Sequence, residues 1–99
     1  TAMACYVIAH VTVNNPEAYS GYTAGTPGTI AAYGGKFVVR GGASTTMEGE
    51  APGQRSVVIE FPDRAAAEGW YHSPEYQKIL PIRLSNSTGT LVIVDGYDG

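Results

Sequence analysis

Basic charge is scarce in this chain: six Lys and Arg stand against nine Asp and Glu, a formal net charge of −3. Such a balance leaves no basic stripe for nucleic acid or for an anionic membrane surface. Cysteine occurs once, as Cys5, so no intramolecular disulfide can form and a reducing compartment is expected. Cys5 itself opens a strand and reads as a small buried residue rather than a nucleophile. The two histidines, His10 and His72, lack the spacing of a zinc site, and no metal or cofactor is implied. No apolar run is long enough to cross a bilayer. No leader of the signal-peptide kind is visible, Thr1 and Ala2 ahead of Met3 are set aside, and a cytoplasmic location is expected. Residues 3–99 then make one domain with a modest core, with 96–99 as a tail.

What is present is a succession of short elements with clear punctuation. Residues 6–13 alternate as a strand. Asn15, Pro16 and Glu17 form a helix start, by cap, first-turn proline and dipole respectively. The helix should bury Tyr19, Tyr22, Thr26, Ile30 and Tyr33 along one stripe. Gly21, Gly25, Gly28 and Pro27 weaken it, and a kink or break near Thr26 is expected before Gly34-Gly35 ends it. A second strand covers residues 36–41, a bulge or bend is expected at Gly41-Gly42, and a further extended piece covers 44–49. After a turn at Ala51-Pro52-Gly53 comes a third strand, residues 55–61. Asp63 caps a helix running through Tyr71, and Ser73-Pro74-Glu75 starts a short third helix disturbed by Pro81. The last strand spans 90–95.

This order is the split βαβ, ferredoxin-like α+β arrangement, an antiparallel sheet with its helices on one face. Strand alternation puts Val7, Val11, Phe37, Val39, Val57, Ile59, Val92 and Val94 on the helix-covered side. It puts Tyr6, Ile8, His10, Val38, Arg40, Val58, Glu60, Ile93 and Asp95 on the other. That second face is too apolar to be left in water. A homodimer paired through the sheet faces is the expected remedy, enclosing a mixed cavity between the sheets.

A resemblance covers nearly the whole chain. Its strongest block is Tyr33-Gly34-Gly35-Lys36-Phe37-Val38-Val39-Arg40-Gly41-Gly42. Further blocks are Glu48-Gly49, Val57-Val58-Ile59-Glu60-Phe61-Pro62, Tyr71-His72-Ser73-Pro74-Glu75-Tyr76-Gln77, Arg83, and Val92-Ile93-Val94-Asp95-Gly96. Together they resemble the bacterial domain-of-unknown-function family numbered 1330. The resemblance implies the dimeric α+β barrel superfamily, in which two ferredoxin-like protomers pair sheet to sheet. Its members include antibiotic-biosynthesis monooxygenases, muconolactone isomerases, haem-degrading enzymes and chlorite dismutases. It implies no particular reaction. The chain departs from the family pattern at His10, at Pro27 with its neighbouring glycines, and at Pro81.

Within that frame the candidate ligand-binding residues are Arg40, Tyr71, Tyr76 and Arg83, and the candidate catalytic residues are Glu60 and His10. Arginine presents a planar fork to carboxylates, and a partly buried glutamate or a histidine can carry a proton near neutral pH. The two tyrosines fit a pocket for a flat molecule. Two functions follow. One is a cavity binding a small, partly apolar carbonyl or carboxylate compound, with cofactor-independent proton-transfer or monooxygenase-type chemistry. The other is a non-catalytic carrier or dimerisation module in which Arg40 and Glu60 form a structural pair.

Overall fold

The computed structural model describes residues 4–51 and 53–97; the expected turn proline, Pro52, and the last two tail residues lie outside them. The chain runs β1 (Cys5–Val13), α1 (Pro16–Ala31), β2 (Lys36–Arg40), β3 (Arg55–Phe61), α2 (Arg64–His72), α3 (Pro74–Asn86) and β4 (Ser87–Asp95). The four strands form one antiparallel sheet in the order β2-β3-β1-β4. The helices cover one face of it. No helix among the described residues is long and apolar enough to cross a membrane.

Each helix begins where a short polar side chain satisfies a free N–H. The Asn15 side chain accepts from the Ala18 N–H at 3.3 Å, Asp63 from Ala66 at 2.8 Å, and Ser73 from Tyr76 at 3.2 Å. Gly34, at φ 76°, turns the chain out of α1, and the Gly35 N–H returns to the Ile30 carbonyl at 3.0 Å. Two expectations fail here. Both α1 and α3 run unbroken through Pro27 and Pro81, because packing on the sheet and on each other outweighs the local cost of proline. The extended piece expected at 44–49 forms no strand.

The core lies between sheet and helices. Cys5, Val7, Ala9 and Val11 face it from β1, Ile59 and Phe61 from β3, and Tyr19, Tyr22, Thr26 and Ile30 from α1. Trp70 is its centre, fully buried against Tyr76 at 4.2 Å between ring centroids and against Phe61 at 5.5 Å. Burying rings of this size is worth roughly 1.5–3 kcal/mol each.

Two strands present faces opposite to those expected. In β2 the ladder pairs Phe37 with Ile59 but Val39 with Val58, so a bulge falls at Val38, and the expected bend follows at Gly41, φ 69°. The extra residue reverses the alternation beyond it. Val39 therefore turns outward beside Val58, and Arg40, paired with Val57, turns toward the helices. In β4 the partners of Val7 and Ala9 are Ile93 and Leu91, while Val92 and Val94 oppose Ile8 and Tyr6. Leu91 and Ile93 are thus on the helix side. Val92 and Val94 are outside, 49% and 42% exposed. Asp95, opposite Cys5, is on the helix side too, where it accepts from Arg64 Nε of α2 at 2.9 Å. A uniform run of Leu, Val, Ile and Val carries no alternation of its own, so only its pairing with β1 sets its faces.

Candidate functional site

The bulge at Val38 decides the composition of the site. It sends Arg40 to the side where β3 presents Arg55, Val57 and Ile59. There Arg40 joins a cavity between helices and sheet lined also by Tyr19, Tyr22, Thr23, Thr26, Phe37, Trp70, Arg83 and Leu91. The enclosed part is small, about 30 Å³, room for water rather than an organic molecule. Beside it lies an open groove of about 420 Å³ lined by Val13, Pro16, Tyr19, Ser20, Thr23, Gly41, Gln54 and Arg55. Tyr19, Thr23 and Arg55 belong to both spaces. They form the partition between a broad mouth and an apolar interior.

Arginines from three elements meet at this cavity: Arg40 from the end of β2, Arg55 from the start of β3, and Arg83 from α3. No Asp or Glu lines either space. Among the described residues none of the three has a carboxylate within salt-bridge distance; the ion pairs there are Lys36–Glu60, Arg64–Glu68 and Arg64–Asp95. Arg83 is only 8% exposed, and its Nε has no hydrogen-bond partner. A buried cation without a counter-ion is costly. An anion entering the cavity would relieve that cost.

Each arginine is held in a different way. Arg40 lays its guanidinium over the Phe37 ring, 4.5 Å from the centroid, and donates from Nη2 to the Thr23 carbonyl at 3.1 Å. Arg55 lies across Gly41, whose φ is 69°; a Cβ there would come within 2.9 Å of Arg55 Nη1. Gly41 thus both makes the turn and leaves the guanidinium its place. Arg83 sits among phenols. Burial works against its charge, but the Tyr76 and Tyr22 hydroxyls outweigh that and hold the pKa above the usual arginine value.

The phenols are donors and acceptors, not bases. The Tyr22 and Tyr76 hydroxyls share a hydrogen bond of 2.7 Å. Burial, reinforced by Tyr76, pushes the Tyr22 phenol far above its ordinary value. Burial also raises Tyr76, partly offset by its Tyr22 hydrogen bond and by Arg83. Tyr19 is raised by burial as well, against the pull of Arg55 and Arg83. At neutral pH all three are protonated.

The residues singled out from sequence are divided between two faces. Arg40 and Arg83 line the helix-side cavity. Tyr76 is fully buried and reaches the cavity through its bond to Tyr22. Tyr71 is half-buried, packed on Trp70 and Tyr76 at 6.2 and 5.5 Å between centroids. Glu60 and His10 are on the opposite face. Glu60 pairs with Lys36 at 3.3 Å and accepts from the Tyr6 hydroxyl at 3.4 Å, while His10 Nδ1 lies 3.3 Å from Ser56 Oγ. Arg40 and Glu60, expected on one face, lie on opposite sides of the sheet because of the bulge, so the alternative of a structural pair between them within the protomer does not form. The cavity that holds Arg40 and Arg83 lies within one protomer, between helices and sheet. Arg55 escaped the sequence reading, although it shares the parity of Val57 and Ile59 and could have been placed with them. Among the described residues no three His, Cys, Asp or Glu side chains gather as a metal site.

Sheet order and helix placement define an α+β protein with the ferredoxin-like fold. The chain belongs to the family described as a domain of unknown function, DUF1330, which matches residues 4–97. Among solved structures it is similar to a protein of unknown function from Rhodopseudomonas palustris, with 17% identity, coverage of 100% of this chain and 86% of that one, and a TM-score of 0.80. It is also similar to SnoaB, a cofactor-independent oxygenase from Streptomyces nogalater (17% identity, 99% and 97% coverage, TM-score 0.62). A third similar structure is Rv0793 from Mycobacterium tuberculosis (21% identity, 97% of each chain, TM-score 0.56). No protein of curated function matches the sequence.

Proposed function

We propose that this protein binds a small, largely apolar organic anion, a carboxylate or an enolate, in the cavity beneath α1 and α3. One observation carries the reading: Arg40, Arg55 and Arg83 line a cavity to which no carboxylate contributes. In a chain of net charge −3 this convergence is the opposite of what bulk composition produces. The anion enters by the groove, meets Arg55 at the partition, and directs its apolar part toward Val7, Val57 and Leu91. Filling the interior requires Tyr19 to swing, since the enclosed space is otherwise water-sized. Arginine suits the role because its planar fork binds a carboxylate in two places.

A second reading adds chemistry at the same site. Guanidinium and phenol donors that hold a carboxylate also stabilise an enolate, the electron-rich form through which a substrate can react with dioxygen. The similarity to SnoaB, a cofactor-independent oxygenase, favours this option. Neither a carboxylate nor a histidine lines the cavity, so such a substrate would have to ionise readily by itself. Glu60 and His10, on the far side of the sheet, do not reach this cavity. The dimer belongs to the same proposal: Val38, Val39, Val92 and Val94 leave an apolar outer face for a second copy to cover.

The test is calorimetric titration of wild type and Arg83→Gln with benzoate, salicylate and a hydroxynaphthoate. Saturable binding by wild type, weakened about tenfold or more in the variant, is expected. Equal affinity in both, or no binding of any of the three, would overturn the reading.

A further inference from the structure

We infer that Pro27 is a positioning residue for Arg40, an inference that rests on the anion-site reading for its functional meaning. Helix α1 runs through Pro27 without interruption. Proline has no N–H, so the bond that residue 27 would make to the carbonyl of residue 23 cannot form, and the ring crowds that carbonyl away from the helix axis. The carbonyl released is that of Thr23, a residue lining both the cavity and the groove. Into this vacancy Arg40 Nη2 donates, at 3.1 Å. The bond is exposed, so water could also meet this carbonyl, and here a donor from another element takes its place.

Two devices therefore cooperate on one guanidinium. The bulge at Val38 brings Arg40 to the helix side of the sheet, and the proline supplies the acceptor that fixes where its fork points. Phe37 completes the clamp from below, its ring 4.5 Å from the guanidinium carbon. Arg40 is otherwise exposed and has no carboxylate partner among the described residues. Without the Thr23 carbonyl it would sweep a wide arc of solvent. A proline that costs the helix stability thus gives the cavity an oriented charge.

The experiment compares wild type with Pro27→Ala and, as a second variant restoring the same N–H, Pro27→Ser. In the ligand-free protein, the Arg40 Nη2–H resonance is assigned by its disappearance in Arg40→Lys. It should be slowly exchanging in wild type and exchange-broadened in both Pro27 variants, with the Trp70 indole resonance unmoved. Both variants should melt at a higher temperature than wild type, since each regains a helix hydrogen bond. Salicylate should bind them three- to tenfold more weakly, and Pro27→Ala combined with Arg40→Lys should bind no worse than Arg40→Lys alone. Higher stability with weaker binding is a pairing that a merely structural proline would not produce. An Arg40 resonance unchanged in both Pro27 variants overturns the inference whatever the anion does. A resonance that changes in a protein whose wild type binds no salicylate removes the site reading and leaves the positioning intact.

Discussion

Arg40 of β2 and Glu60 of β3 lie on opposite faces of one sheet. Their substitutions should therefore separate cleanly. Arg40→Ala is expected to weaken aromatic-carboxylate binding about tenfold, the worth of one charged hydrogen-bonding group. Glu60→Gln is expected to leave that affinity within twofold, while loosening Lys36 and Tyr6 on the outer face. Calorimetry on the two variants checks this. Equal losses in both would mean that the faces communicate.

Arg83 offers a contrast between stability and binding. The Arg83 guanidinium has no carboxylate beside it and leaves Nε unpartnered, a desolvation cost that the surrounding phenols offset. Arg83→Met, of similar length and without charge, should hold or raise the thermal midpoint, a gain of about 1 kcal/mol corresponding to about 4–8 °C in a domain of this size. It should bind salicylate at least tenfold more weakly. A large fall in the midpoint would show that the guanidinium holds the helices together.

The phenols predict an alkaline limit to stability. Tyr22 is raised by burial and by Tyr76, and Tyr76 is raised chiefly by burial, so both stay protonated in the fold at pH values where the unfolded chain ionises. Their contribution is complete below the ordinary phenol value of about 10 and is lost as pH rises past it. Urea midpoints should fall above that pH, by up to about 1.4 kcal/mol per pH unit for each phenol. Tyr22→Phe should flatten the slope by one proton's worth. A slope that is the same in the variant would place the alkaline transition elsewhere.

The outer face predicts an assembly. Val92 is 49% exposed at the middle of that face, opposite Ile8. Wild type should sediment at twice the protomer mass at micromolar concentration, and Val92→Glu should sediment as a protomer, since a charge placed in an apolar contact is expensive to desolvate. A wild-type protomer at that concentration would leave the outer valines without a covering copy.

Much of this architecture was readable from residues. Asn15, Asp63 and Ser73 announced the three helices, and the stripe of Tyr19, Tyr22, Thr26 and Ile30 is the buried face of α1. What could not be read was phase. In β2, Phe37, Val38 and Val39 are all apolar, so the bulge leaves no trace in polarity, and simple alternation puts Arg40 on the side opposite to the one it occupies. In β4, Leu91 to Val94 offered the same ambiguity. The site suffered more than the fold, because a reversal of faces leaves the sheet intact but exchanges every side chain available to a ligand. The prolines are illegible for a related reason. Local propensity gives their cost, while the benefit at Thr23 depends on a strand seventeen residues away.

The bulge at Val38 makes the phase of β2 a functional variable. The same five residues paired without it would alternate strictly, sending Arg40 out to the face of Glu60 and Val39 into the core, while the order of strands stayed the same. Deleting Val38 would remove the bulge yet keep Arg40 beneath the helices, beside Val57. Two chains of this fold with β2 strands of equal length would then share a silhouette and present opposite chemistry there, and the ladder beside the arginine tells what such a cavity can hold where a count of residues does not.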